Sequence, residues 1–126
     1  MPIEPGLSAE VSLTVGDPDT AVAMGSGSVA VLATPRIVAL CEEAACLALE
    51  TRLKPDETSV GMSVQIDHLA PTPVGAKVTA EATLEKVNGR RLVFTVSVND
   101  RRGLVAAGRV TRVLVDVGRF MEKAGS

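Results

Sequence analysis

Residues 34–56 read Thr-Pro-Arg-Ile-Val-Ala-Leu-Cys-Glu-Glu-Ala-Ala-Cys-Leu-Ala-Leu-Glu-Thr-Arg-Leu-Lys-Pro-Asp, and they carry the one long helical pattern in the chain. Ile37, Leu40, Cys41, Ala44, Ala45, Leu47 and Ala48 recur at helical spacing, which makes one apolar stripe. Thr34 suits an N-cap, Pro35 suits the first helical position, and Lys54-Pro55-Asp56 ends the pattern. The stripe is rich in small residues, so a partner surface can approach it closely. A curved sheet is such a surface.

The segments on either side of this helix read as strands. Upstream, Ala9, Val11, Leu13 and Val15 alternate with Glu10, Ser12 and Thr14, the period of a half-buried strand. Gly16-Asp17-Pro18-Asp19 ends that strand, and Gly25-Ser26-Gly27-Ser28 reads as a small, flexible linker. Downstream, Val60, Met62, Val64, Ile66 and His68 share one parity, opposite Gly61, Ser63, Gln65 and Asp67. Pro71-Thr72-Pro73 breaks this strand. Val78 to Glu85 and Leu92 to Val98 alternate cleanly, joined at the hairpin signal Asn88-Gly89. Asp100-Arg101-Arg102-Gly103 predicts a second hairpin, followed by a more apolar strand over 104–115 and a short tail helix over 116–123. The expected fold is therefore α+β in a single domain over 1–126: one long helix on a curved five-stranded antiparallel sheet. The four strands after the helix are expected to run as a meander. One helix covers one face of such a sheet, and the apolar last strand favours a partner on the other, so a homodimer is expected.

Composition removes several function classes. Of 126 residues, only Phe94 and Phe120 are aromatic, which argues against a platform for stacking single-stranded bases. Thirteen basic against fifteen acidic residues give a net charge of −2, so no basic nucleic-acid surface is expected. The pairs Arg90-Arg91 and Arg101-Arg102 lie at turns and read as solvated. No apolar run approaches the ~20 residues of a membrane span, and the first residues lack the pattern of a signal peptide. Cys41 and Cys46 sit five apart on one helix, pointing about 140° apart, so they should not pair; a reduced, cytoplasmic setting fits. One histidine and two such cysteines cannot build the usual metal ligand set, so no metal is expected.

Few residues remain that can carry chemistry. A lone inward histidine is ordinarily a hydrogen-bonded core residue. His68, however, ends its strand beside a turn, where sites form, and imidazole suits acid–base work. Glu42 lies on the margin of the helical stripe, where a carboxylate is partly desolvated unless a partner such as His68 holds its charge. The Thr34 hydroxyl sits at a helix N-terminus, whose free N–H groups can stabilise an oxyanion. Gly61, inside a strand, marks a bulge or a close approach by ligand or backbone. Arg112, between Val110 and Leu114, is placed to pair with an acid or hold a ligand's charge.

These residues also carry a resemblance. Leu32-Ala33-Thr34-Pro35, Leu40-Cys41-Glu42-Glu43-Ala44-Ala45, Ser59-Val60-Gly61, Asp67-His68-Leu69-Ala70, Thr72-Pro73-Val74-Gly75 and Asn88-Gly89-Arg90-Arg91-Leu92 occur in the order and spacing of the fluoroacetyl-CoA thioesterase group of hotdog proteins. The resemblance runs over roughly residues 7 to 122. It implies a hotdog fold, a dimer with the acyl group near the subunit interface, and hydrolysis of a short acyl-CoA thioester. Coenzyme A then enters as part of the substrate, with no separate cofactor. Thr34, Glu42 and His68 match the group's threonine, glutamate and histidine, and Gly61 and Arg112 match residues near the bound acyl group. The sequence leaves the nucleophile open between Thr34 and Glu42. In the fluoroacetyl-specific enzymes, phenylalanines form a lid just upstream of the threonine; Gly25 and Ser28 stand at the matching positions here, so fluoroacetyl specificity is not expected to follow. An acyl-CoA-binding module without catalysis and a hydratase are the rival readings.

Overall fold

A computed structural model describes residues 2–125. The elements are β1 (Ser8–Thr14), α1 (Ala21–Met24), α2 (Thr34–Leu49), β2 (Glu57–His68), β3 (Lys77–Asn88), β4 (Arg91–Asp100), β5 (Gly103–Asp116) and α3 (Val117–Lys123). The five strands form one sheet in the order β1-β3-β4-β5-β2, and every neighbouring pair is antiparallel.

Only part of the expected meander forms. β3, β4 and β5 follow one another through the two predicted hairpins, but β2 pairs with β5 rather than with β3. The reason lies in the connections. Asn88-Gly89 and Asp100 to Gly103 are tight reversals, with Gly89 at φ 62° and Gly103 at φ 129°. Residues 69–76, with two prolines, instead carry the chain across the sheet. Their ends are tied to β5 through Leu69 N–H to Val105 O (2.8 Å) and, just past the end of β1, to Val15 O through Gly75 N–H (2.8 Å). The crossover leaves β2 as an edge strand.

Helix α2 packs on one face of the sheet. Ile37, Leu40, Cys41, Ala44, Ala45, Ala48 and Leu49 are buried against Val78, Ala80, Ala82, Leu84, Leu92, Phe94, Val96, Val98 and Val110. Leu47, expected on this stripe, is exposed, and Leu49 takes the inward place. Phe94 is fully buried, and truncating such a side chain typically costs about 3–5 kcal/mol. The other face carries Thr79, Glu81, Thr83, Thr95, Ser97 and Arg109, all polar. The last strand is thus not apolar throughout its outer face: Arg109 and Thr111 lie in the middle, with Leu104 and Ala107 at one end and Val113 and Val115 at the other. Among the described residues, no helix is long and apolar enough to cross a membrane.

The segment expected as a plain linker is structured. Thr20 caps α1 through Ala23 N–H (3.2 Å), and Gly25 ends it in the left-handed conformation at φ 71°. Leu32 N–H then bonds Thr72 O (2.8 Å), and Ala33 N–H bonds Asp19 O (2.9 Å), which fixes the entry into α2.

Candidate active site

Thr34 is not the N-cap of α2. Ala33 holds that place, with extended backbone (φ −74°, ψ 141°), and its carbonyl accepts from both Arg36 and Ile37 N–H at 3.1 Å. Thr34 begins the helix, and its hydroxyl caps nothing. It is free to meet His68, with Oγ1 2.8 Å from Nδ1. Pro35 has no N–H, and those of Arg36 and Ile37 are bonded to Ala33. Among the described residues, the Thr34 amide has no backbone acceptor, which leaves it as the free N–H of this first turn beside the pair. Cys41, one turn before Ala45 on the buried stripe, has its thiol pushed up to about 11 by burial and, secondarily, by the Glu42 charge.

The second group of residues gathers around Arg112. Its Nη1 lies 2.9 Å from Glu42 Oε2, its Nε donates to Ser59 Oγ at 2.8 Å, and its Nη2 donates to Ser59 O at 2.9 Å. The Arg112 side chain is only 8% exposed, so these bonds satisfy a guanidinium largely withdrawn from water. Glu42 keeps 31% exposure, and a groove of about 740 Å³ lined in part by Ala39, Glu42, Glu43, Cys46 and Arg112 opens beside it. The carboxylate's partner is therefore Arg112, not His68. Sequence reasoning missed Ser59. Its position two residues before Gly61 gave no sign that its hydroxyl and carbonyl together would clamp the arginine.

Gly61 belongs to this group. A Cβ at Gly61 would lie 2.5 Å from Glu42 Oε2, so the carboxylate occupies the space that any other residue would fill. The expected parity of β2 is corrected here. Met62 is an extra residue in a bulge: Gly61 pairs with Arg112 and Ser63 with Thr111. Gly61 and Ser59 thereby share the helix-side face with Val64, Ile66 and His68, although odd and even positions alternate on either side of the bulge.

Within the chain, Thr34, Glu42 and His68 do not converge. His68 lies seven positions beyond Gly61 on the same strand, about 23 Å by the rise of extended chain. Glu42 lies eight positions beyond Thr34 on α2, about 12 Å by helical rise. The structure holds two half-sets of groups: Thr34 with His68, and Glu42 with Arg112, Ser59 and Gly61. His68 Nε2 is buried and, among the described residues, has no hydrogen-bond partner. Gly25 and Ser28 are exposed between the end of α1 and the Leu32 tie, with no aromatic side chain between them. Among the described residues no three acidic, histidine or cysteine side chains gather as a metal site would require.

Residues 15–118 match the family model described as fluoroacetyl-CoA-specific thioesterase. This chain belongs to that family. It is 37% identical over 93 residues to a fluoroacetyl-CoA thioesterase of Streptantibioticus cattleyicolor, covering 74% of this chain and 67% of that protein. It superposes with a TM-score of 0.91 and 29% identity on a threonine-to-serine variant of a fluoroacetyl-CoA thioesterase in complex with acetyl-CoA, covering 97% of this chain and 96% of the other. A hot-dog-like protein of Thermanaerovibrio acidaminovorans superposes at 0.88 with 25% identity over 95% of this chain and 89% of that one. The chain is thus a hotdog-fold member of the fluoroacetyl-CoA thioesterase family, a family of thioester hydrolases.

Proposed function

We propose that this protein hydrolyses a short acyl-CoA thioester at a site built from two copies of the chain, with Thr34 and His68 from one and Glu42, Arg112 and Gly61 from the other. The observation that carries this reading is the separation of the two half-sets along β2, the edge strand. An edge strand carries a row of unpaired backbone groups ready to pair with another strand. Antiparallel pairing of two β2 edges around a two-fold axis reverses one strand against the other, and one register of that pairing sets the end bearing His68 beside the partner's Gly61. With the axis at Gln65, Val64 meets the partner's Ile66, Ser63 meets the partner's Asp67, and the bulge at Met62 brings Gly61 opposite the partner's His68 on the helix-side face.

Each group then has a task. Coenzyme A arrives as part of the substrate. His68 Nδ1 accepts the Thr34 hydroxyl proton, which makes Oγ1 a nucleophile toward the thioester carbon. Thr34, not Glu42, takes the attacking role because its oxygen is the one in hydrogen-bond contact with the base. The imidazole Nε2–H, unpartnered in the single chain, donates to the carboxylate of the partner's Glu42, which orients the ring and stabilises its charged form. Arg112 and Ser59 hold that carboxylate in place. The open Thr34 amide donates to the carbonyl oxygen as negative charge develops on it. His68 returns its proton to the departing thiolate of coenzyme A. A water, activated by the same histidine, then releases the acid.

Mixing two inactive variants tests the shared site. His68→Ala and Glu42→Ala should each lose about two to four decades of acyl-CoA hydrolysis, measured as free thiol. Subunit exchange between them yields heterodimers with one doubly defective site and one intact site. Thiol release should then return to about a quarter of the parent level, since half of the dimers carry one working site of two. No recovery after verified exchange refutes a site shared between subunits. Parent-rate hydrolysis by His68→Ala alone refutes the chemistry.

A further inference from the structure

Helix α3 folds back over the outer face of the sheet at the β2 edge. Val117 N–H bonds Asp56 O at 2.9 Å, and Asp116 caps the helix through Arg119 N–H at 3.0 Å. Between α3 and the strands lies a trough of about 480 Å³, floored by Val60, Met62, Val113 and Val115 and walled by Phe120. Arg90, Arg119 and Lys123 line it against the one acid Asp116. Met62 is 50% exposed and Phe120 38% exposed, so this apolar surface is uncovered in the single chain. Across the middle of the sheet the outer face is mainly polar, with Thr79, Glu81, Thr83, Thr95, Ser97 and Arg109.

At the other end of β2, just past His68, Leu69 is 61% exposed although its backbone is still tied to β5. Asp67 is on the outer face of β2, opposite in sense to His68, and Leu69 follows just past the strand's end with its side chain exposed. The strand register proposed above, with the axis at Gln65 and the bulge at Met62, carried one residue past the strand's end, brings the partner's Leu69 beside Val60. The partner's Asp67 comes opposite Ser63, next to Met62.

We infer that the trough under α3 is the seat of Leu69 from a second copy of this chain, so that α3 clasps the partner's β2 from behind while the site forms in front. The inference rests on the edge-to-edge dimer proposed above and adds a second contact that the strand pairing does not require. Two properties select this occupant. The trough is apolar on the floor and the arriving side chain is an exposed leucine. The rim carries three cations and one acid, and the arriving strand carries Asp67 beside that leucine. The contact is isologous, so it is made twice per dimer. Catalysis is tied to it: Val60 and Met62 flank Gly61, and the partner's Leu69 adjoins the partner's His68, so seating one fixes the spacing of the other.

Cross-linking tests the clasp directly. In a Cys46→Ser background, the double variant Leu69→Cys/Phe120→Cys is oxidised and resolved without reductant. The two positions lie near opposite ends of β2 in one chain, about 30 Å apart by extended rise, too far for an internal disulfide. A covalent dimer from the double variant, absent from either single variant, is the expected result. A chain that sediments as a dimer but gives no cross-link overturns the clasp and leaves the edge-to-edge dimer standing. A chain that stays monomeric across the micromolar range overturns the dimer, and the clasp with it. As a second measure, Phe120→Ser should raise the dimer dissociation constant at least tenfold. Asp67→Lys should raise it severalfold at low salt, with the difference shrinking at high salt. Unchanged dissociation in both variants also overturns the clasp.

Discussion

Replacing Gly61 with alanine separates the position of a carboxylate from the stability of the fold. The new Cβ would stand 2.5 Å from Glu42 Oε2, whereas ordinary contact begins at 3.4 Å. The carboxylate must therefore retreat by about 0.9 Å. The Arg112 guanidinium, 3.6 Å from the new methyl, need not move. Because that retreat runs nearly at right angles to the Glu42–Arg112 bond, the bond lengthens only from 2.9 Å to about 3.1 Å and survives, and what changes is the place of the carboxylate itself. The atom that yields is the far end of a flexible side chain, one-third exposed, so the backbone is spared. Arg112 keeps both bonds to Ser59. A misplacement of this size in a catalytic constellation typically costs about a hundredfold in rate, or about 2.7 kcal/mol of transition-state stabilisation. Acyl-CoA hydrolysis followed by thiol release should show kcat/KM down about a hundredfold, while the thermal midpoint falls by only a few degrees. Two results refute the reasoning. Parent-like kcat/KM would mean that Glu42 does not act from this position. An unfolded variant would mean that the clash falls on the backbone.

Other expectations follow from the same contacts. Thr34→Ala removes a hydroxyl that caps nothing, so urea unfolding should change by under about 1 kcal/mol while thiol release falls at least a hundredfold; Thr34→Ser should restore much of the rate. If the alanine variant is instead strongly destabilised, the hydroxyl is a cap after all. Ser59→Ala leaves the Nε donor of a buried guanidinium without its acceptor. The expected cost is about 1–3 kcal/mol in chemical unfolding, with a loss of activity smaller than that of Glu42→Ala; full activity and full stability together would remove Ser59 from the site. Of the two thiols, Cys46 is exposed and Cys41 is buried with its thiol raised to about 11, so at pH 8 only about one Cys41 in a thousand is ionised. A thiol reagent should modify one cysteine per chain quickly and the second only on unfolding, and two fast thiols would contradict the packing of α2.

Most of the architecture could be read from residue order. Period 3.6 over 34–49 and period 2 over 78–98 are set by which residues must leave water, and they hold wherever the chain is placed. The hairpins at Asn88-Gly89 and Asp100 to Gly103 are likewise local, since their geometry depends on two or three residues. Thr34, Glu42, His68, Gly61 and Arg112 were legible as the groups with chemistry to offer, and the family pattern gave them company. Three things were decided only in the folded chain. The pairing of β2 with β5 depends on a crossover loop whose route no local pattern encodes. The bulge at Met62 reverses the parity of Gly61, because one inserted residue turns every side chain beyond it. The partner of Glu42 turned out to be Arg112, seventy residues away, because sheet register rather than sequence spacing sets which groups meet. Periodicity reports what each segment buries, whereas the meeting of Glu42 with Arg112, and the parting of Glu42 from His68, is fixed by long-range register.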